Sequence, residues 1–213
     1  MNFKYFAILA FLSKVEAFIS PISNSYYQLS SLSADTKVDR DEKVQQVLEL
    51  AREIGPIGAN AAQEDQDKLE SLAKELQTFS DCNPAESALK GFHNLIYSAS
   101  KGGSSGKLFG PFHGNVKQEF LNDESAFINS VTFGPFKAAL QATRSAMNST
   151  TNKVTFHQTK IEVLGQTVVD KQIEGGGVWK YLFMGKIVDK DGKEKLVRVM
   201  KTPSLFVLEQ DLS

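Results

Sequence analysis

The sequence is poor in the residues that cross-link a chain or give it a strong charge. Cys82 is the only cysteine, so an intrachain disulfide is excluded, and no Cys or His stands near it in metal-ligand spacing. We interpret it as a small half-buried residue, with a redox role as the alternative. The 24 basic and 25 acidic residues give a net charge of −1, which excludes the basic surface that recruits nucleic acid.

Phenylalanine is the residue that is plentiful. The chain has 15 Phe against one Trp and five Tyr, and 41% of its 213 residues are apolar. That is enough for one domain with a core of its own. Phe adds apolar area without a polar tip, so the excess suits either a packed β core or an apolar cavity. Ordinary core packing is the simpler interpretation, because aromatic residues are favoured in strands.

The first 38 residues have the features of a leader. A basic start, an apolar run of eight residues from Tyr5 and a small residue at Ala17 predict a signal peptide over residues 1–17. The run is too short to cross a bilayer. Residues 18–38 are rich in Ser and have no acidic residue before Asp35, which predicts a disordered transit-like stretch. The alternative is an ordinary secretory signal.

Residues 39–82 are predicted to form two amphipathic helices. Asp39 and Glu42 have capping-box spacing at the start of the first helix, and Gly55-Pro56 ends it. The second is expected from about Glu64 to Phe79. We expect both to pack on the following domain, since their mixed or acidic polar faces argue against a membrane-surface role. Their apolar stripes are Val44, Val47, Leu48, Ala51 and Ile54, then Leu69, Leu72, Ala73, Leu76 and Phe79.

Residues 83–213 have the pattern of short strands separated by turns. Residues 92–98 alternate as a first strand, and the region of Trp179, Tyr181 and Phe183 is the most aromatic strand. Such spacing predicts a mainly β protein built on an antiparallel barrel, and about eight strands would leave room inside for one small ligand. Residues 137–147 fit a short helix or a weak strand equally well.

Two stretches resemble the PAP/fibrillin family, the plastid lipid-associated proteins or plastoglobulins. One is Asn83-Pro84 followed by residues 89–98, LKGFHNLIYS; the other is residues 198–208, RVMKTPSLFVL. The resemblance covers roughly residues 40–210. It implies a lipocalin-like barrel, and the Ala17-Phe18 junction resembles the bipartite leaders of algae with complex plastids. The chain departs from the family at His93, which stands where the family's first strand has Trp.

The resemblance implies a function and a set of residues. His93 and Arg198 are expected at the barrel floor, where the family packs an Arg on its Trp. We expect a non-enzymatic plastid protein that binds a lipid, fatty acid, carotenoid or quinone at the peripheral surface of thylakoids or plastoglobules, with no other cofactor and no metal. By alternation, the candidate lining residues are Tyr97, Phe120, Phe133, Phe156, Trp179, Tyr181 and Phe183.

Two alternatives stay open. The barrel could be filled by its own Phe side chains and act as a scaffold for thylakoid proteins. It could also be a lipocalin-like enzyme on a lipophilic substrate, for which His93, His157, Glu162 and Glu119 are the candidate titratable groups. The sequence assigns neither a ligand nor an oligomeric state.

Overall fold

A computed structural model of the chain describes residues 34–81, 83–101, 105–106, 113–121 and 125–212. The predictions for the signal peptide, for most of the transit-like stretch and for Cys82 lie outside these residues. Within them, the chain is mainly β, with two helices followed by nine strands.

The two predicted helices are present, and one boundary was wrong. Helix α1 spans Ala34–Ile54, so it begins five residues before the predicted cap at Asp39 and includes the end of the stretch expected to be disordered. Helix α2 spans Gln63–Glu75 and continues as a 3-10 turn over Leu76–Phe79. Gly55 ends α1 with a φ of +86°, a conformation that glycine adopts without strain. No helix in the described part of the chain has the length and apolarity to cross a bilayer.

The nine strands pair antiparallel throughout. Residues 137–147, whose pattern fitted a helix or a strand equally well, belong to β4. The strands are β1 Gly91–Ser98, β2 Asn115–Phe120, β3 Ala126–Phe133, β4 Phe136–Asn148, β5 Thr151–Val163, β6 Gln166–Gln172, β7 Gly176–Val188, β8 Glu194–Thr202 and β9 Ser204–Asp211.

The sheet closes on itself in a ring of eight strands. Its order is β4-β3-β2-β1-β9-β8-β7-β5, and β4 also pairs with β5. The first strand therefore pairs with the last, with Asn94 opposite Glu209. Strand β6 is outside the ring, paired with the second half of β5, while the first half of β5 pairs with β7. At that junction Gly176 lies so near the Val154 carbonyl that an added Cβ would be 2.2 Å from its oxygen.

The two faces of the ring carry separate apolar clusters. The outer cluster joins both helices to β1, β7, β8 and β9 through residues such as Val44, Leu48, Leu69, Val199 and Val207. Its helical members occupy the predicted stripes. Ion pairs outside this cluster also join helix to sheet, including Lys201 to Glu70 at 2.7 Å.

The inner cluster contains residues that meet across the ring. The Phe127 ring on β3 lies 4.7 Å, centroid to centroid, from the Trp179 ring on β7, although two strands separate β3 from β7 in the sheet. Phe120, Met184, Met200 and other residues complete this cluster. Alternation along β8 assigns Val197 and Val199 to the outer cluster and Leu196 and Met200 to the inner one.

Candidate functional site

The segment between the helices and the first strand covers one end of the ring. Residues 83–90 place Ala85 and Leu89 in the inner cluster. The Ala85 amide donates to the Ser149 carbonyl at 3.0 Å, and the Gln210 side chain donates to the Lys90 carbonyl at 2.7 Å. The chain therefore crosses from the β4–β5 turn to the end of β9 before it enters β1.

Arg198 is the central polar residue inside the ring. It lies between Leu196 and Met200 on the inner face of β8, and its side chain is fully buried. Its Nη1 donates to Gln118 Oε1 across the ring at 2.6 Å. Its Nη2 has only longer contacts, at 3.5 Å to Tyr181 Oη and at 3.8 Å to Met200 Sδ. Both Gln118 and Tyr181 are neutral, so these contacts orient the guanidinium without balancing its charge.

Aromatic rings surround the guanidinium on several sides. Its Cζ lies 5.0 Å from the centroid of Phe120, 5.5 Å from that of Trp179 and 5.8 Å from that of Tyr181. The negative faces of aromatic rings attract a cation at such distances. The His93 ring meets Phe120 edge-on, with centroids 5.2 Å apart. Trp179 on β7, with Phe120 and Tyr181, thus supplies the aromatic surface that was expected from the first strand.

His93 is buried on β1 beside this group. Burial, and then the positive charges of Arg198 and Arg144, lower the pKa of its imidazole to about 3. The ring is therefore neutral near pH 7, with one N–H donor and one acceptor nitrogen. Neither nitrogen has a hydrogen-bond partner within the described residues.

Arg144, on β4, joins the site to the covering segment. Its two terminal nitrogens donate to the carbonyls of Ala85 at 3.2 Å and Ser87 at 2.7 Å. Its Cζ lies 5.5 Å from the centroid of the Phe120 ring, on which Arg198 also packs. The segment that covers the ring is therefore held by a side chain of the ring itself.

The buried polar groups of the described residues include two arginines and one histidine but no Asp or Glu. Burial lowers the pKa of the Arg198 guanidinium, although an arginine stays charged in proteins. Arg198 Nε and Asn152 Oδ1 also lack a hydrogen-bond partner among these residues. Buried polar groups are normally satisfied, so a cluster of exceptions at one place needs an explanation.

The predicted lining residues divide between the two faces. Phe120, Trp179 and Tyr181 belong to the inner cluster, and Phe156 packs against it, partly buried. Phe133 is at the end of β3 and 38% exposed.

Tyr97 and Phe183 were predicted to line the interior, and this prediction was wrong. Both belong to the outer cluster beneath the helices, where the Tyr97 ring lies against Gly58. The pairing register shifts between Leu95 and Tyr97 and between Tyr181 and Phe183. A β-bulge at each place adds one residue, which moves the next side chain to the opposite face.

Sequence reasoning missed three polar residues of the site. Gln118 is on an alternating strand, but alternation alone marks it as an ordinary surface group. Asn152 lies at the start of β5, directly after the β4–β5 turn, where a polar residue is expected without any function. Arg144 lies in the segment whose type was left open. The one usable signal was its place in residues 138–147, where an isolated charge follows a run of small and apolar residues.

The four candidate groups for catalysis do not come together. His157 shares a hydrogen bond with Thr143 on an exposed part of the sheet, and Glu162 pairs with Lys160 at 2.7 Å. Glu119 points away from Phe120, its neighbour on β2, so only His93 lies inside the ring. Within the described residues, no group of three or more His, Cys, Asp or Glu could hold a metal ion.

Comparisons with known proteins return no relative. No protein-family model matches the chain, and neither the curated proteins nor the solved structures contain a significant match.

Proposed function

We propose that the ring is a lipocalin-like barrel and that the protein is a PAP/fibrillin-like carrier of a hydrophobic small molecule. The ligand would be a lipid, fatty acid, carotenoid or quinone, carried at plastid thylakoids or plastoglobules. The observation that carries the proposal is the inner face of the ring, where aromatic and apolar side chains from at least four strands meet around a few buried polar groups. Ligand sites of this kind are mostly apolar, with a small number of orienting polar groups.

The strand order supports the finer part of the proposal. Apart from β6, each strand pairs with its neighbour in the sequence, and the ring closes between β1 and β9. This is the arrangement of an up-and-down barrel. The physical gain on binding would be burial, worth roughly 25 cal/mol per Å² of apolar surface removed from water.

Arg198 supports the family resemblance despite the missing Trp on β1. In the family an Arg near the end of the chain packs on that Trp. Here Arg198 packs on Trp179 from β7 and on Phe120 from β2. Under this proposal, the contacts of Arg198 with these two rings take the place of the family's floor contact.

An exposed apolar tip supports contact with a lipid surface. The Leu164 amide donates to the Pro135 carbonyl at 2.8 Å, which brings the β5–β6 and β3–β4 turns together. The tip comprises Phe133, Val163, Leu164 and Val168, all more than a third exposed, with Leu164 at 79%. It lies at the end of β4 and β5 opposite the covering segment. Leu164 has a φ of +53°, which is unfavourable for a branched side chain and marks a position to test for function.

Trp179 allows a direct test of the carrier role, because the only tryptophan belongs to the inner cluster. Protein purified without detergent would be extracted and its bound molecules identified by mass spectrometry. Delipidated protein would then be titrated with a carotenoid and with a quinone. We expect co-purified apolar molecules and saturable quenching of Trp179.

The matched control moves the fluorophore out of the ring. A Trp179→Phe, Phe92→Trp double variant keeps an aromatic ring inside and places the indole on the outer face of β1, where Phe92 is 55% exposed. Its emission should show no saturable response. If the native protein yields no bound molecule and Trp179 does not respond either, the carrier proposal is wrong.

The membrane contact has a separate test. Leu164→Asn replaces an exposed apolar side chain with one that suits the turn. We expect it to reduce flotation of the protein with vesicles of galactolipid composition, with its ligand affinity unchanged. Equal flotation of the two proteins would remove the tip from the proposal.

A self-filled scaffold is the second candidate, and one observation favours it. The rings of His93, Phe120, Phe127 and Trp179 form a continuous series with centroids 4.7 to 5.5 Å apart, which fills part of the interior with the protein's own side chains. Absence of any bound molecule, together with a partner protein captured at defined stoichiometry from thylakoids, would support the scaffold.

A further inference from the structure

The buried charge of Arg198 has no anionic partner within the described residues. Its recorded hydrogen bonds all go to neutral groups, on Gln118, Tyr181 and Met200. A charge removed from water is strongly unfavourable unless it is paired and hydrogen-bonded. The aromatic rings around it compensate only in part, since a cation–π contact is weaker than an ion pair.

One edge of the guanidinium has hydrogen-bonding capacity that the described residues do not use. Nη1 already donates a 2.6 Å bond to Gln118, whereas Nη2 has only long contacts and Nε has no partner among the described residues. Nε and Nη2 are adjacent and parallel donors. This edge matches the two oxygens of a carboxylate, which an arginine can bind through two N–H groups at once.

Two neutral donors lie in the same part of the ring, since Tyr181 contacts Arg198 and His93 packs on Phe120, a ring that Arg198 also contacts. Tyr181 Oη accepts from Arg198 Nη2 and from Asn152 Nδ2, each at 3.5 Å, so its own hydrogen remains to be donated. The neutral His93 ring carries one further N–H without a partner among the described residues. Together they form a set of donors that suits an anion, in a part of the ring where no described carboxylate is buried.

The surroundings of these donors are apolar. Met200 and Phe206 continue the inner face along β8 and β9 towards the end of the ring opposite the covering segment, and Leu95 packs against the same cluster. An anionic head at Arg198 could therefore extend an apolar chain in this direction only. The opposite direction is closed by Ala85 and Leu89 of the covering segment.

We infer that the interior binds a single-chain amphiphile with one carboxylate, whose head group lies on the Nε–Nη2 edge of Arg198 beside Tyr181 and whose tail follows the apolar inner face. The inference rests on the proposed carrier function and narrows it to one ligand class. It favours fatty acids over carotenoids and quinones, which have no anionic head.

The test compares ligands that share a tail and differ in the head. Delipidated wild-type protein is titrated with laurate, methyl laurate and dodecanol, and with acetate as a head group without a tail, with Trp179 emission as the signal. We expect laurate to bind at least about tenfold more tightly than the ester and the alcohol, because hydrogen bonds to charged groups are the strong ones. Acetate should not displace laurate at comparable concentration.

Variants assign the selectivity to one side chain. Arg198→Gln should reduce the affinity for laurate to that for the ester and leave the ester affinity unchanged. Arg52→Gln is the matched control, because it removes the same charge from α1, where Arg52 pairs with Glu209 outside the ring. It should keep full selectivity. Tyr181→Phe removes only a hydroxyl. It should lower the affinity for laurate by a few fold and leave the affinity for methyl laurate unchanged.

Each outcome decides something. Equal affinities for laurate, ester and alcohol on wild-type protein would overturn the inference and leave the carrier function standing. Failure of all three to bind would overturn the inference, and the carrier function would be wrong as well only if the native protein also yields no bound molecule. Effective displacement by acetate would show that the tail is not recognised and would also overturn the inference. If Arg198→Gln does not fold, the wild-type ligand series and Tyr181→Phe decide the question.

Discussion

The two faces of the ring differ in composition, although the same strands form both. The outer cluster packs two helices on the sheet, and one buried polar atom of these helices, Gln45 Nε2, has no partner among the described residues. The inner cluster surrounds Arg198, His93 and Asn152, which together have four such atoms. A core selected for stability alone has no need of such groups. The comparison therefore separates a face that holds the fold together from a face suited to a ligand.

The largest effect should come from the outer cluster. Leu48 is fully buried in α1, and Leu48→Ala would leave a cavity between the helix and the sheet. We expect the free energy of unfolding to fall by about 2–5 kcal/mol in urea titrations. Val38→Ala is the control on the same helix, because Val38 is 60% exposed, and it should cost almost nothing. A similar loss in both variants would contradict the assignment of the outer cluster as the stabilising one.

The next effect is a pH dependence from the inner face. The pKa of His93 is about 3 in the folded protein, against an ordinary value of 6.5. Below pH 6.5, the His93 imidazole is therefore protonated in the unfolded chain but stays neutral in the folded protein. Above pH 6.5, the titration of His93 therefore leaves the free energy of unfolding unaffected. Between pH 6.5 and pH 3 it lowers this free energy by up to about 1.4 kcal/mol for each pH unit.

His93→Gln should remove this part of the pH dependence. The free energies of unfolding of the two proteins would be measured from pH 8 to pH 4. Their curves should run parallel above pH 6.5 and converge or cross below it. Identical slopes throughout would show that His93 is not held neutral by its surroundings.

Arg198→Met should sharpen the contrast between the faces. Replacement of a buried charge without a described carboxylate partner by an apolar side chain removes a desolvation cost. We expect the free energy of unfolding to rise by about 1 kcal/mol, in the direction opposite to Leu48→Ala. Thermal and urea unfolding would both measure it. A loss of more than about 2 kcal/mol would instead make Arg198 a structural residue of the floor.

The smallest effect concerns a residue that belongs to neither cluster. Leu164 and Gly165 form a two-residue turn with φ values of +53° and +76°. Asn-Gly is the favoured pair for such a turn, so Leu164→Asn should stabilise the protein by about 0.5–1 kcal/mol. Differential scanning calorimetry would detect the higher melting temperature. A lower one would mean that the exposed leucine makes stabilising contacts within the protein.

The sequence predicted the helices and strands better than it predicted which face of the sheet each side chain occupies. Both helices, the first strand and the antiparallel sheet follow from local periodicity, which is a property of neighbouring residues. The faces of Tyr97 and Phe183 do not, because each follows a bulge whose position depends on how the ring closes. The start of α1 was missed because favourable capping residues at Asp39 do not prevent a helix from extending further toward its N-terminus.

The polar part of the site was harder still to predict. His93 and Arg198 were found through resemblance to a family. Gln118 and Asn152 have no local mark of function, and Arg144 has only its place as an isolated charge after small and apolar residues. Their significance arises only when strands that are distant in the sequence bring them into one interior. Gln118 and Arg198, which bond to each other, are 80 positions apart. A period of two tells which residues share a face, but it does not tell which face will be enclosed.

The pairing of the first strand with the last has a consequence for how the protein is made. Asn94 meets Glu209, so this seam cannot form until the residues of β9 have left the ribosome. Contacts between residues so distant in sequence form slowly. Until then the aromatic surface of the nascent sheet is open to water and to other chains, and we expect chaperones to be engaged longest over this interval.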